Sequence, residues 1–221
     1  MNQKGVVQRD LTPKETYYVI QAHWADKPMV HIYGHSWPIR WGNEGDTKTV
    51  RVYSNCDEVE LFVNGKSQGM KRRDANGFPA MGLTWETVFR AGNNHLRAVG
   101  RAKGQTLTDE ISVAYQIGIW GPVSRIVVKE IPVGAQMSYL EATAVDAQGK
   151  VCLDARNRVR FDVTGDARLI KMQGTSTGSQ VIELANGQAR IKIIKTGELF
   201  AASVCADGLG TFMYIPSNNN Q

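Results

Sequence analysis

The sequence has few cysteines, and their spacing excludes the common cysteine-based metal sites. Cys56, Cys152 and Cys205 show neither Cys-x-x-Cys spacing nor a neighbouring histidine pattern. A structural zinc site normally has four cysteine or histidine ligands at such spacings. Cys152 and Cys205 could face one another across one domain, but connectivity does not follow from sequence. Buried free thiols are the simpler expectation.

The sequence also lacks a long apolar segment. No run approaches the roughly 18 apolar residues of a membrane-spanning helix, and the first residues, Met1-Asn2-Gln3-Lys4, do not resemble a signal peptide. We therefore expect no membrane partner.

No motif for nucleic-acid binding accompanies the positive charge. The formal net charge of +5 permits an acidic partner, and basic side chains cluster around one hairpin at Lys66, Lys71, Arg72 and Arg73. A recognition helix, a zinc finger or an RNA-binding consensus would be needed to support that partner. We interpret the basic cluster as a solvated hairpin tip.

What the sequence does contain is typical of a globular protein with two domains. The chain has 221 residues, of which 42% are hydrophobic and 21% charged, so there is enough apolar material for a packed core. Domains of roughly 100 residues are the commonest size class. The length therefore predicts two of them.

The clearest local pattern lies between Val50 and Gly69. Apolar residues occupy every second position at Val50 and Val52 and again at Val59, Leu61 and Val63, and Asn64-Gly65 follows directly. Alternation with period two predicts antiparallel strands. Asn-Gly predicts a two-residue hairpin turn, because both central residues of such a turn need positive φ.

Similar short strands separated by turn signals continue along the chain. The first domain, residues 25–117, has seven candidates: 29–33, 48–53, 59–63, 66–70, 83–88, 94–101 and 106–115, with turns at Asn76-Gly77, Gly92-Asn93 and Lys103-Gly104. The second, residues 118–216, begins in the Gly- and Pro-bearing boundary IGIWGP and has eight: 124–130, 138–146, 159–164, 168–172, 180–184, 189–194, 199–206 and 211–215. The fold class that this pattern predicts is all-β, with two tandem immunoglobulin-like β-sandwiches.

Two terminal segments fall outside these domains. Residues 1–24 form a helical connector in which Asp10 or Thr12 is the expected cap and Pro13 suits the first turn. The polar residues 217–221 are expected to be a disordered tail.

The segments PKETYYVIQAHWADKPMVHIYGHSWPIRWG and YSNCDEVELFVNGKSQG resemble the region that follows the catalytic barrel in bacterial glycoside hydrolase family 2 enzymes of the β-galactosidase-like group. The resemblance implies that an α/β barrel with two catalytic glutamates belongs to the parent chain and that residues 1–24 hold its last helix. Without a barrel, that helix would fray, self-associate through its apolar side chains, or pack on the first sandwich. The resemblance also implies a periplasmic or secreted bacterial parent and no cofactor.

Asn43-Glu44 is the one pair that matches a catalytic pattern of the family. Retaining glycosidases place two carboxyl groups about 5 Å apart, whereas Glu44 lies in the loop WGNEGD with no second glutamate as a nucleophile. We therefore expect this chain to be catalytically inactive. Likewise, GTSTGS at 174–179 lacks the lysine of a phosphate loop, so we interpret it as a flexible loop.

The histidines and aromatic residues near the first strand are the candidate contact residues. His31 and His35 lie four residues apart, which on a helix would favour a shared metal, but Gly34 and Pro38 indicate β-structure instead. We expect no metal site. Sugars stack on exposed aromatic faces, so a carbohydrate or a domain interface is the predicted contact of five residues: His31, Tyr33, His35, Trp37 and Trp41. Trp85 is expected in the core.

Two functions follow. The first is a non-catalytic C-terminal region of a glycoside hydrolase that serves as a scaffold, an oligomer contact or a substrate-shaping module, with the barrel of the same chain as its partner and a carbohydrate or a second copy as further partners. The alternative is a free-standing carbohydrate-binding or invasin-like adhesive module.

Overall fold

The structure is a computed structural model that describes residues 5–7, 12–73, 82–170 and 180–216. The chain divides into two compact units, Met1–Ile119 and Trp120–Gln221. Several sequence predictions lie outside the described residues: the cap at Asp10, the turn at Asn76-Gly77, the loop at 174–179 and the tail at 217–221. Among the described helices, none has the length and apolar character needed to cross a membrane.

The described residues of the first unit form one helix and eight strands. Their bounds are α1 (Glu15–Trp24), β1 (Val30–Ile32), β2 (Ile39–Gly42), β3 (Thr47–Ser54), β4 (Glu58–Val63), β5 (Lys66–Arg72), β6 (Leu83–Val88), β7 (Gly92–Ala102) and β8 (Gln105–Ile117). They form a three-stranded sheet of order β1-β3-β6 and a five-stranded sheet of order β2-β8-β7-β4-β5. Side chains from both sheets meet in one core that includes Val52, Leu61 and Trp85, as expected for a sandwich.

The Asn64-Gly65 turn forms as the sequence predicts. Asn64 and Gly65 have φ of 51° and 80°, and they join β4 to β5 as an antiparallel pair. The side-chain carbonyl of Asn64 also accepts a hydrogen bond from the backbone N–H of His95 at 3.0 Å, which fixes the turn to β7. β5 is the outermost strand of its sheet, and nearly all of its residues are exposed.

The helix α1 packs on the first sandwich. Ala22 of α1 is buried with Met29 and Tyr53 in a small separate core, against which Tyr18 and Val19 also pack. The predicted cap is corrected here: the N-cap is Lys14, with no side-chain cap hydrogen bond, and Pro13 precedes the helix rather than lying in its first turn. Trp24, the last residue of α1, remains 80% exposed.

In the second unit, the residues that the structure describes form six strands in one hydrogen-bonded sheet. They are β9 (Arg125–Pro132), β10 (Met137–Val145), β11 (Arg158–Leu169), β12 (Val181–Glu183), β13 (Gln188–Ala206) and β14 (Gly210–Tyr214). The order is β12-β11-β13-β10-β9, with β14 also paired to β13. The sheet encloses its own core, which includes Leu140, Phe161 and Ile193. Both units therefore confirm the predicted all-β, sandwich-like fold class.

Two long strands correct the predicted strand list. The segments 189–194 and 199–206 were expected as separate strands, but β13 runs through both and pairs first with β10 and then with β11 and β14. β11 likewise joins 159–164 to the described part of 168–172. Gly165, which lies between the two predicted strands, marks a bulge with φ of 84°, because glycine can bend a strand without ending it.

The strand β2 was missed by the sequence analysis. It has only four residues, and it pairs with β8 in parallel, with Ile39 opposite Ala114 and Gly42 opposite Ile117. A strand this short, with no period-two pattern, gives no signal in sequence. Trp41 therefore lies in a strand rather than in the loop that was predicted, while Trp37 precedes the strand.

Candidate functional site

A polar, partly enclosed cluster of the first unit lies where α1, β1 and β8 meet. It contains five side chains: Glu15 and Tyr18 of α1, His31 of β1, His35 of the turn that follows β1, and Asp109 of β8. Two of the five predicted contact residues, His31 and His35, are therefore brought together. The turn 33–36 does this, not a helix.

Glu15 fastens the helix to the β1 turn. Its Oε2 accepts a hydrogen bond from His31 Nε2 at 3.1 Å, and its Oε1 accepts one from the backbone N–H of Gly34 at 3.1 Å. A carboxylate can only accept, so Nε2 is the protonated ring nitrogen. The Tyr18 ring stacks on the face of the His31 ring, with the two centroids 3.5 Å apart and the two planes 8° apart. His31, only 5% exposed, is thus fixed in orientation.

Asp109 holds the opposite side of the cluster. Its Oδ2 accepts hydrogen bonds from the backbone N–H of Ile32 at 2.6 Å and from His35 Nε2 at 2.8 Å. The same oxygen lies 3.9 Å from His31 Nδ1. The His31 and His35 rings stack with their centroids 4.8 Å apart. One carboxylate on β8 therefore meets both histidines.

These contacts shift the protonation equilibria of the cluster. Burial alone would raise the pKa of Glu15, but the hydrogen bond and charge of His31 and the Gly34 N–H outweigh it, and the pKa lies below its usual value. Burial alone would also raise the pKa of Asp109, but the hydrogen bonds from His35 and from the Ile32 N–H bring that pKa below its usual value. The hydrogen bond to Asp109 raises the pKa of His35. Burial, followed by the two carboxylates, raises the pKa of Tyr18.

The other three predicted contact residues lie outside this cluster. Tyr33 packs edge-on against Tyr53, with ring centroids 6.2 Å apart. Trp37, 36% exposed, lies under the guanidinium of Arg40, whose carbon is 5.2 Å from the indole centroid and which also donates to the Trp37 carbonyl. Trp41 is 46% exposed. The two tryptophans thus offer partly open aromatic faces on and beside β2.

Glu15 and Asp109 were missed by the sequence analysis. The signal for Asp109 was present, because β8 alternates and Asp109 shares the inward register of Leu107 and Ile111. A carboxylate at a core-facing position needs a partner. No comparable signal marked Glu15, since an acidic residue in the first turn of a helix is common. Trp85 is 2% exposed, which confirms its predicted place in the core.

The loop around Glu44 is a surface turn. Glu44 lies between β2 and β3 and is exposed, and the turn is closed by Asp46, whose Oδ2 accepts a hydrogen bond from the Asn43 N–H at 2.9 Å. Hydrogen bonds from Asn43 and Lys48 lower the pKa of Asp46. The three cysteines are free, and Cys205 is exposed, so the expectation of a buried thiol is wrong for that residue.

The folds and the cluster define a tandem β-sandwich region with a docked helix, and comparisons with known proteins identify its family. The chain is homologous to the C-terminal immunoglobulin-like region of bacterial family 2 glycoside hydrolases. Residues 45–108 match a family described as a domain of unknown function (DUF4982). The described residues contain one helix, so they include no α/β barrel.

Solved β-glucuronidases share both sequence and fold with the chain. Bacteroides uniformis β-glucuronidase 3 is 46% identical with a TM-score of 0.88, and 98% of this chain covers 28% of that protein. Parabacteroides merdae β-glucuronidase is 44% identical with a TM-score of 0.86, over 96% of this chain and 27% of that protein. A β-galactosidase of Bacteroides ovatus is 33% identical over 73% of this chain and 18% of its own length. The chain thus spans between 18% and 28% of the length of these three relatives.

Proposed function

We propose that this chain is the scaffold region of a family 2 glycosidase whose catalytic barrel cleaves O-glycosyl bonds of a β-glucuronide or β-galactoside. In this proposal the chain performs no chemistry itself. The helix α1 is the last element of the barrel, and the first sandwich holds it in place. The relatives' names support the substrate class, and the similarity of fold supports the position in the parent.

The observation that carries this proposal is the attachment of α1 to the sandwich. Glu15 accepts three hydrogen bonds from one short segment: His31 Nε2, the Gly34 N–H, and the Ser36 hydroxyl at 3.5 Å. Ala22 is buried against Met29 and Tyr53. The end of the same helix leaves Trp24 80% exposed. A helix fixed on one face, with a large exposed aromatic residue at its end, suits an element shared between two domains.

A chimera tests the scaffold role. The matching region of Bacteroides uniformis β-glucuronidase 3 is replaced by this chain, and turnover of 4-nitrophenyl β-D-glucuronide is compared with that of the parent and of a truncated form lacking the region. We expect the chimera to retain turnover within about tenfold of the parent, a loss of about 1.4 kcal/mol in transition-state stabilisation. A chimera no more active than the truncated form contradicts the proposal.

Two glutamate substitutions in the chimera separate attachment from catalysis. Glu15→Gln removes the negative charge of the carboxylate that accepts the hydrogen bond from His31. It should lower the thermal unfolding midpoint and the turnover together. Glu44→Gln is the matched control, because Glu44 is an exposed turn residue, and turnover should be unchanged. A loss of turnover confined to Glu44→Gln would instead assign catalysis to this chain.

A second candidate function is a carbohydrate contact at the tryptophans beside β2. Trp37 and Trp41 are each at least one-third exposed, and Arg40 beside Trp37 supplies hydrogen-bond donors of the kind that sugar hydroxyls accept. Titration of the chain with galacto- and glucurono-oligosaccharides, followed by tryptophan fluorescence, tests it. Saturable binding that Trp37→Ala and Trp41→Ala abolish supports this function, and unchanged fluorescence rejects it.

A further inference from the structure

We propose that His31, His35 and Asp109 form a binding site for a divalent transition-metal ion such as Zn²⁺. One ligand atom from each of these three residues lies within 4.8 Å of the others. Imidazole nitrogen and carboxylate oxygen are the ligand types of zinc sites with three protein ligands, in which water completes the coordination. The sequence analysis expected no metal here because it considered only a helical arrangement of the two histidines.

The ligand distances are close to those that a bound ion requires. Zinc–nitrogen and zinc–oxygen bonds of about 2.0–2.2 Å place neighbouring tetrahedral ligands roughly 3.4 Å apart. Asp109 Oδ2 lies 2.8 Å from His35 Nε2 and 3.9 Å from His31 Nδ1, so the two distances lie on either side of that value. The three ligand atoms lie within 4.8 Å of one another, so the histidines must come closer together on binding.

Glu15 gives His31 the tautomer that metal binding needs. Because Nε2 donates to Glu15 at 3.1 Å, the neutral ring has its lone pair on Nδ1, which faces Asp109. A carboxylate that accepts from the far nitrogen of a ligating imidazole is the usual outer partner of metal-bound histidine. Tyr18, stacked on the ring, further limits its rotation. Glu15 is thus a positioning residue rather than a ligand.

His35 is the ligand that moves. The two imidazole planes are only 21° apart in a stacked arrangement, so one ion cannot lie in both ring planes as they stand. The His31 side chain is 7% exposed and held by Glu15, whereas the His35 side chain is 38% exposed. Once its hydrogen bond to Asp109 is released, the His35 ring can turn about its Cβ–Cγ bond toward solvent. On binding, the ion takes the place of the proton on His35 Nε2 that Asp109 accepts. A neutral ring then carries its one proton on Nδ1, and an imidazolium releases one proton to solvent.

The charge of the cluster also suits a divalent cation. Glu15 and Asp109 together contribute two negative charges next to two imidazoles, and a dication offsets both. The nitrogen ligands favour Zn²⁺, Ni²⁺ or Cu²⁺ over Mg²⁺ and Ca²⁺, which prefer all-oxygen sites. Once bound, the ion ties the β1 turn to β8 directly and, through Glu15, to α1.

Metal titration of the purified chain tests the proposal. The tag-free protein is stripped with EDTA, and Zn²⁺ is added in competition with a chromophoric chelator. We expect one equivalent to bind saturably and the thermal unfolding midpoint to rise, while Mg²⁺ and Ca²⁺ give no saturation. Imidazole ¹⁵N resonances of His31 and His35 should shift on binding, and those of His95 should stay.

Three variants and one control identify the ligands. His35→Gln and Asp109→Asn should each weaken Zn²⁺ binding at least about tenfold, and Glu15→Gln should weaken it roughly 10- to 100-fold, as expected for an outer partner. The control is His95→Gln, because His95 also contacts a carboxylate, Glu110, at 3.3 Å but in an exposed pair. That variant should bind as the original chain does.

The outcomes are distinct even if a buried variant fails to fold. His35 is exposed, so His35→Gln is expected to stay folded, and its circular dichroism spectrum checks this. Retention of full Zn²⁺ affinity by folded His35→Gln would overturn the proposal. So would equal weakening by His95→Gln, or the absence of any binding that saturates at one equivalent.

Discussion

The side chain of Glu141 is the most deeply buried charge among the described residues of the second unit. It is 0% exposed and lies on β10 directly between Lys129 of β9 and Arg190 of β13. Lys129 Nζ is 2.8 Å from Oε1, and Arg190 Nε contacts Oε2. The two cations remain about half exposed. The desolvation cost therefore falls mainly on the glutamate.

Because only Glu141 is fully buried, removing a cation beside it should lower the free energy of unfolding more than removing the cation and the glutamate together. Arg190→Met leaves a buried carboxylate with Lys129 as its single cation and should lower the free energy of unfolding by roughly 3 kcal/mol. Adding Glu141→Met should recover most of that loss, because no buried charge then remains. Urea unfolding followed by circular dichroism measures both. The control Arg156→Met breaks an exposed pair with Glu183 and should cost about 0–1 kcal/mol. Strictly additive losses in the double variant would contradict this account.

Glu130 gives the second unit a defined pH dependence. Its Oε1 lies 2.7 Å from Lys195 Nζ, and the Ser138 hydroxyl donates to the same oxygen. Burial alone would raise the pKa of Glu130, but Lys195, Ser138 and Tyr214 bring it below the usual value. A folded-state pKa below the unfolded-state value stabilises the fold at higher pH.

The stabilisation from Glu130 should therefore be complete above an unfolded-state pKa of about 4.3 and be lost as the pH falls through the lower folded-state pKa. Glu130→Gln should lower the unfolding midpoint at pH 7, and the difference from the original chain should shrink toward pH 3. Thermal melts across that range measure it. A difference that stays constant with pH would assign the effect of the substitution to packing rather than to charge.

At the scale of elements, Gly165 of β11 lies at a bulge, close to the backbone of β13. A Cβ built on Gly165 would lie 2.3 Å from the Leu199 carbonyl oxygen, and φ is +84°. Gly208 has a similar φ of +77° but nothing within 4 Å of the same position. The two glycines share the backbone requirement and differ only in the close approach of β13.

Alanine substitution should separate those two requirements. Gly208→Ala should cost about 1–2 kcal/mol for the left-handed backbone alone. Gly165→Ala should cost clearly more, because the β13 backbone must also move. Guanidinium unfolding midpoints compare the two variants. Equal losses of unfolding free energy in the two variants would mean that the backbone at Leu199 can move away from an added Cβ without a measurable loss of stability.

The strands that the sequence predicts well are those with one solvated face. β4 and β6 were located within a residue at each end because their apolar residues alternate. β2 shows no alternation, and the residues of β8 with which it pairs lie 75 positions later in the sequence. β11 and β13 were each predicted as two strands, although each is continuous. A glycine inside a strand and a glycine in a turn look alike in sequence. Long-range pairing decides between those two meanings.

The candidate site shows the same limit. His31 and His35 were chosen from local composition, but their orientation depends on Glu15, 16 residues before His31, and on Asp109, 74 residues after His35. Only the inward register of Asp109 on β8 hinted at its role. Trp41 was selected correctly as partly exposed and assigned wrongly to a loop.

At the scale of the whole molecule, each unit has its own hydrophobic core. The core of the first unit draws on residues 30–117 with a small addition beneath α1, and the core of the second draws on residues 120–214. A domain with its own core is expected to fold alone.

Residues 1–119 and 120–221, expressed as separate chains, should therefore each fold. We expect each to show a β-type circular dichroism spectrum and one cooperative thermal transition, and Trp120 fluorescence should report the second unit by itself. A chain cut at 140/141, inside β10, is the control and should fail to fold. A unit that lacks a cooperative transition would mean that it depends on the rest of the chain.

The exposed outer strand β5 has a consequence for how the protein behaves at high concentration. An unpaired strand edge is a template on which another copy can add its own strand, and repeated addition leads to fibrils. β5 presents Lys66, Lys71 and Arg72 along that edge, so a second copy in register would bring like charges together. We therefore expect the basic cluster that first suggested an acidic partner to disfavour amyloid-like growth from the edge of the five-stranded sheet.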